Sequence, residues 1–197
     1  MKKISLALLS LAFITACNTT KTATSNTANA AKETTVHIDL VNVTNDQVQV
    51  EFTPAHITAE TATFHIPKTV PGTYSTDNYG QYIENFKAFD KDGNELAVKH
   101  PDQNSWDISN ANKLTKITYF VNDTFDTEAT VKEAVFSPAG TNILKDKNFV
   151  LNLHGFVGYF TTQQEFPYTL NITHPEGLVG TSALTDLDAA NTKDIYN

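Results

Sequence analysis

Apolar and polar positions alternate with a period of two along most of residues 35–197. Val48, Val50 and Phe52 have polar neighbours between them, as do Ile117, Tyr119 and Val121, and then Phe149, Leu151 and Leu153. The cleanest case is Tyr168, Leu170, Ile172 and His174, separated by Thr169, Asn171 and Thr173. Such alternation sets one side of a strand on a core and the other in water. No stretch shows a convincing helical face, and residues 127–135 read equally as a short helix or a loop. Turn signals interrupt at short intervals, at Asn45-Asp46, Pro71-Gly72, Asp92-Gly93, Pro138-Ala139-Gly140 and Pro175-Glu176-Gly177. The pattern predicts an all-β domain, an antiparallel β-sandwich of roughly nine or ten strands. Trp106 is expected as a core anchor between the sheets, with a ligand platform as the alternative. Residues 182–197 show no amphipathic closing strand, although Ile195 and Tyr196 look like the start of an element. The chain therefore reads as truncated at 197.

The most particular stretch is residues 64–96. A strand ends at Ile66-Pro67, and a Pro-Gly turn follows at Pro71-Gly72. Three tyrosines come next, Tyr74, Tyr79 and Tyr82. A second strand then carries Ile83, Phe86 and Phe89 into Asp92-Gly93. Asp92-Gly93 suits a tight hairpin, because glycine accepts the positive φ such turns need.

The amino terminus breaks the alternation. Lys2 and Lys3 precede an apolar stretch over residues 4–14, broken only by Ser5 and Ser10. A bilayer span needs ~20 apolar residues, so this segment reads as a secretory signal peptide. Small residues lead into Cys17, the chain's one cysteine, which resembles a lipoprotein signal with acylation at Cys17. Residues 1–16 are thus expected to be the signal, and residues 17–34 a lipidated cysteine and tether. The tether holds Thr, Asn, Ala, Ser and Lys without a large apolar residue, and would hold the domain on the order of 20–25 Å from a bilayer. The expected location is a bacterial cell envelope, with membrane attachment through the lipid alone.

Charge narrows the partners. The chain carries 14 basic and 22 acidic residues, a net charge of −8, and every basic residue is Lys. An acidic chain without Arg is poorly suited to nucleic acid, whose affinity rests on phosphate neutralisation. Catalytic patterns are missing as well. His56-Ile57-Thr58-Ala59-Glu60 has the wrong order for a His-Glu-x-x-His zinc helix. The six histidines, His37, His56, His65, His100, His154 and His174, are scattered. In Asp90-Lys91-Asp92-Gly93 the glycine is fourth rather than sixth, which favours a hairpin over a calcium loop. Ser137-Pro138-Ala139-Gly140-Thr141 is not a nucleophile elbow.

Residues 66–89, with Pro71-Gly72-Thr73-Tyr74 at their centre and Glu84-Asn85-Phe86 after it, resemble the N-terminal domain of metallopeptidase family sixty-one, the glycyl aminopeptidase-like zinc peptidases. Asn104-Ser105-Trp106-Asp107-Ile108 is similar to that family's Asn-Thr-Trp strand. Residues 114–121, 148–160 and 166–181 resemble its following strands. The family's turn commonly carries an Arg a few residues after its Tyr, where this chain has Ser75-Thr76-Asp77. The resemblance implies a non-catalytic domain that packs on a C-terminal catalytic domain, usually followed by a PDZ domain. Zinc, its ligands and the peptide substrate would belong to that catalytic domain, so no catalytic or metal residue is expected here. Tyr74, Tyr79, Tyr82, Phe156 and Tyr159 are the candidate interdomain or ligand contacts. A stand-alone lipoprotein that binds peptide or glycan through exposed aromatics, Phe160 among them, is the alternative.

Overall fold

A computed structural model of the protein describes residues 33–126, 131, 134–187 and 190–197. Cys17 and most of the expected helix-or-loop stretch 127–135 lie outside them. The strands in chain order are β1 Thr34–Thr44, β2 Gln47–Thr53, β3 Thr61–His65, β4 Ile83–Asp90, β5 Val98–Asp102, β6 Ser105–Ser109, β7 Leu114–Asn122, β8 Asn142–Leu144, β9 Asn148–Val150, β10 Tyr159–Phe160, β11 Tyr168–Thr173 and β12 Lys193–Tyr196. Six form one sheet in the order β12-β11-β1-β2-β7-β4, and four form another in the order β10-β3-β6-β5. β8 and β9 make a separate hairpin.

The register explains the core. Val36 faces Phe52 and Ile38 faces Val50, while Val48, Val50 and Phe52 face Val121, Tyr119 and Ile117. Residues directly opposite share a sheet face, so these side chains form one apolar layer. The smaller sheet answers with Phe64, paired in register with both Trp106 and Phe160. The two layers meet edge to face at Phe52 and Phe64, with ring centroids 5.0 Å apart. Phe86 from β4 lies over Trp106 at 4.9 Å, nearly parallel to it. Trp106 is therefore the anchor between sheets that its sequence context predicts, with His100 stacked on it at 4.6 Å. Asn85 has φ 51° at the register shift between Glu84 and Lys87. That bulge offsets β4 against β7 just before Phe86.

The sandwich differs from expectation in four particulars. Twelve strands are present among the described residues, several of only two to five residues, too short to leave a periodic signature. One pair is parallel: β1 lies beside β11, with Val36 opposite Leu170 and Ile38 opposite Ile172. Most of the domain intervenes between those strands, so no tight turn forces them antiparallel. The run through Leu151 and Leu153 is not one strand, because β9 stops at Val150 and Leu153–Gly155 is a 3₁₀ turn. The Asn152 side chain accepts the His154 N–H and caps that turn. Finally, Lys193–Tyr196 is a closing edge strand: Ile195 pairs with Asn171, and Tyr196 with Leu170.

Candidate functional site

The Pro-Gly turn is built as its sequence dictates. Val70 accepts the Thr73 N–H at 3.3 Å across Pro71 and Gly72, and Gly72 has φ 95°. Proline at the second position and a positive-φ glycine at the third define a type II turn. The Thr73 hydroxyl also donates to the Val70 carbonyl, at 2.9 Å. Tyr74 follows in the left-handed region, with φ 56° and its side chain wholly in solvent. A tyrosine at positive φ is uncommon and costs on the order of 1–3 kcal/mol, so it persists only where its surroundings impose it.

Asp77 supplies the surroundings. It is buried, its Oδ1 accepts the Ser75 hydroxyl at 2.7 Å, and it also accepts the Phe136 N–H at 3.1 Å. The turn is thus fastened on one side to the segment that leads into the 3₁₀ turn Ser137–Ala139. On the other side Asn78 donates its N–H to the Lys68 carbonyl at 2.8 Å, and the Asn104 amide bridges the Asn78 side chain and the Gly80 N–H. Asn104 precedes the Ser-Trp pair of β6, so two of the quoted sequence motifs meet through hydrogen bonds.

The remaining candidates divide by burial. Tyr79, Tyr82 and Phe156 are core residues with no surface to offer a partner. The Tyr79 hydroxyl donates to the Ala139 carbonyl at 2.9 Å and accepts from the Asn152 amide at 2.9 Å. Burial, reinforced by the neighbouring Asp77 charge, pushes its phenol well above the ordinary tyrosine range. Phe160 is likewise buried. Tyr159 is half-buried on the edge strand β10, its ring 5.4 Å from that of His65. Two further aromatics, not singled out from sequence, are exposed near the turn's frame. Phe136 donates its own N–H to Asp77, and Phe125 lies against Gly140. Their positions depend on the loop around the Ser137–Ala139 turn, which no periodicity announces.

Among the described residues no three His, Cys, Asp or Glu side chains come together to hold a metal ion. The zinc that the sequence resemblance implies has no fitting donor set in them. Asp90, considered above for calcium, is engaged by the backbone instead, its Oδ1 accepting the N–H groups of Asp92 and Asn94.

The fold and its exposed turn define an all-β sandwich module. The chain belongs to the Peptidase M61 N-terminal domain family, whose model matches residues 35–197. Among solved structures it is similar to an aminopeptidase N family protein from Idiomarina loihiensis. The superposition has a TM-score of 0.61 at 15% identity, over 82% of this chain and 26% of that one. The chain thus spans about a quarter of that protein's length, and the likeness concerns the fold. No curated protein matches the sequence.

Proposed function

We propose that residues 35–197 form the non-catalytic N-terminal accessory domain of a lipid-anchored zinc aminopeptidase-like metallopeptidase. In this reading the domain packs on a C-terminal catalytic domain and helps wall its peptide cleft. Zinc and the catalytic groups reside in that domain, and acylated Cys17 tethers the protein to the cell envelope. Family membership supports the reading. The observation that carries it is Tyr74, a fully exposed aromatic held at positive φ by a buried hydrogen-bonded frame. Residues held in strained backbone conformations cluster at functional sites. Exposed Phe136, whose N–H Asp77 accepts, is a second aromatic tied to the same frame.

The test uses the enzyme containing this domain. Tyr74→Ala is expected to lower kcat/KM on peptides about 5- to 30-fold, the range for truncating an aromatic contact. Zinc content and the melting temperature of the domain should stay unchanged. Unaltered kcat/KM on every peptide tried would defeat the cleft-wall role. Specific binding of a peptide or glycan by the 197-residue chain alone, lost on Tyr74→Ala, would favour the stand-alone module.

A further inference from the structure

We propose that Asp92-Gly93 is a site of spontaneous isoaspartate formation, and that Asp90 is the residue that holds the reaction back. The inference is independent of the peptidase reading. Asp92-Gly93 is the one place in the chain where an Asp or Asn precedes Gly. That order matters because glycine has no Cβ to crowd its amide nitrogen or to restrict its φ. The reacting pair is the Asp92 carboxyl and the Gly93 N–H. Both residues are exposed, and a Cβ built on Gly93 would meet nothing within 4 Å. Water therefore reaches the pair, and no neighbouring side chain blocks the nitrogen.

The reaction balances with the chain and water alone. The Gly93 nitrogen attacks Cγ of Asp92 and forms the N–Cγ bond. The C–O bond of the protonated carboxyl breaks, and its hydroxyl leaves with the nitrogen's proton as one water. The product is a five-membered succinimide. Water then opens the ring at either carbonyl. Attack at Cγ restores aspartate. Attack at the main-chain carbonyl carbon sends the backbone through Cβ and Cγ, which is isoaspartate. The isomer lengthens the main chain by one carbon, in a turn whose length is set by hydrogen bonds.

The folded hairpin opposes the first step. Gly93 donates its N–H to the Asp90 carbonyl at 3.1 Å, so the nucleophile is engaged. Lys91 and Asp92 are not among the positive-φ residues, which makes the turn over residues 90–93 type I. Its third residue, Asp92, then has ψ of about 0°, which turns the Gly93 nitrogen away from the Asp92 Cβ. Asp90 locks this arrangement. Its Oδ1 accepts the N–H groups of Asp92 and Asn94, both at 2.9 Å, and its Oδ2 accepts the Asn94 amide at 3.0 Å. Ring closure must wait for local opening of the turn. Lys91 pairs with Asp92 at 2.7 Å, but both side chains are mostly exposed and the pair adds little restraint.

The experiment ages the 197-residue chain for weeks at neutral pH in ¹⁸O-labelled water. Electron-transfer fragmentation then separates isoaspartate from aspartate at each position. In the folded wild type, isoaspartate bearing one ¹⁸O should be most abundant at position 92. Asp92→Glu, which would need a six-membered ring, should show none there. Asp90→Ala should speed the reaction about 3- to 30-fold, the scale of a few hydrogen bonds lost from an exposed turn. Its near-ultraviolet circular dichroism should match the wild type. If that variant does not fold, Asn94→Ala, which removes only the side-chain donor to Asp90, should speed the reaction by less. The chain unfolded in urea should react at least as fast as either variant. No isoaspartate at position 92 in the folded chain, or more of it at any other position, overturns the site. Equal rates in the folded wild type and the folded variant overturn the role of Asp90.

Discussion

The Asp77 carboxylate accepts the backbone N–H of Phe136 at 3.1 Å and so joins two loops from distant parts of the chain. The same side chain takes the Ser75 hydroxyl. One buried carboxylate therefore sets the shape of the turn below Tyr74 and fastens it to the Ser137–Ala139 turn.

Removing this acceptor should loosen both loops at once. Asp77→Ala strips partners from a main-chain donor and a hydroxyl, at a cost of about 1–3 kcal/mol. For a domain of this size the melting temperature should fall by about 3–10 °C. Asp77→Asn keeps one acceptor oxygen and should lose less. Equal melting temperatures for wild type and Asp77→Ala would show that the frame does not stabilise the turn.

Alkali should unfold the domain through its buried phenols. Tyr119 is wholly buried, and its hydroxyl donates to the Phe156 carbonyl. Burial pushes the phenol far above the ordinary tyrosine range, and Tyr79 is raised in the same direction. A folded pKa above the unfolded one means the folded state holds its proton longer. This contribution is complete below the unfolded value of about 10 and is lost as pH rises beyond it. Urea midpoints should be flat near pH 8–9 and fall steeply toward pH 11. Tyr119→Phe should reduce that slope, while costing about 1–3 kcal/mol at neutral pH because the Phe156 carbonyl loses its donor.

Acid should act on the hairpin turn after β4. Hydrogen bonds from the Asn94 side chain, then from the Asn94 and Asp92 N–H groups, hold the Asp90 carboxyl below the usual carboxylate range. A depressed folded pKa gives stability that is present above the unfolded value of about 3.9 and is lost as pH falls through the lower folded one. Hydrogen exchange of the Asp92 and Asn94 amides should therefore speed up below about pH 4 relative to neighbouring amides. In Asp90→Asn that acid-dependent step should vanish. Its persistence would assign the step to another carboxylate.

Much of the sandwich was legible because its long strands obey strict alternation. In β1, β2, β7 and β11 the alternating positions Val36, Ile38, Val50, Phe52, Ile117, Tyr119, Leu170 and Ile172 oppose one another, so a period-two reading of the sequence alone recovers that part of the inner face. Trp106 was legible for the same reason, through Phe64 opposite it. The rest depended on pairings that local sequence does not encode. The parallel contact of β1 with β11 joins chain segments more than a hundred residues apart. β12 is four residues long and acquires its place only from β11. The candidate site was half legible. Pro71-Gly72 announced the turn, and the exposed ring of Tyr74 follows from it. Tyr79 and Tyr82 looked equivalent to Tyr74 by composition, yet they enter the core, because the 3₁₀ turn Tyr79–Tyr82 folds them under Asn104 and Asn152.

Gly158 is packed tightly against the aromatic core, and it supplies a sharp packing test. A Cβ placed there would fall 2.2 Å from Cζ of Phe64, 2.5 Å from its Cε1 and 2.6 Å from the His65 carbonyl. Phe64 cannot retreat easily. Its ring is bounded by Phe52 at 5.0 Å, Phe86 at 5.4 Å, Phe160 at 5.5 Å and Tyr119 at 5.9 Å. The His65 carbonyl belongs to β3, so it cannot move without disturbing the sheet. Gly158→Ala therefore adds one methyl where neither the ring nor the backbone can yield. Overpacking of this kind costs about 1–3 kcal/mol, occasionally more. The double variant Gly158→Ala with Phe64→Leu separates this cause from any other. Leucine removes the ring atoms that the methyl strikes, so the penalty of the second change should be smaller in that background than in the wild type. Urea unfolding of the four proteins measures the coupling. Simple additivity would place the strain at the His65 carbonyl rather than at the ring.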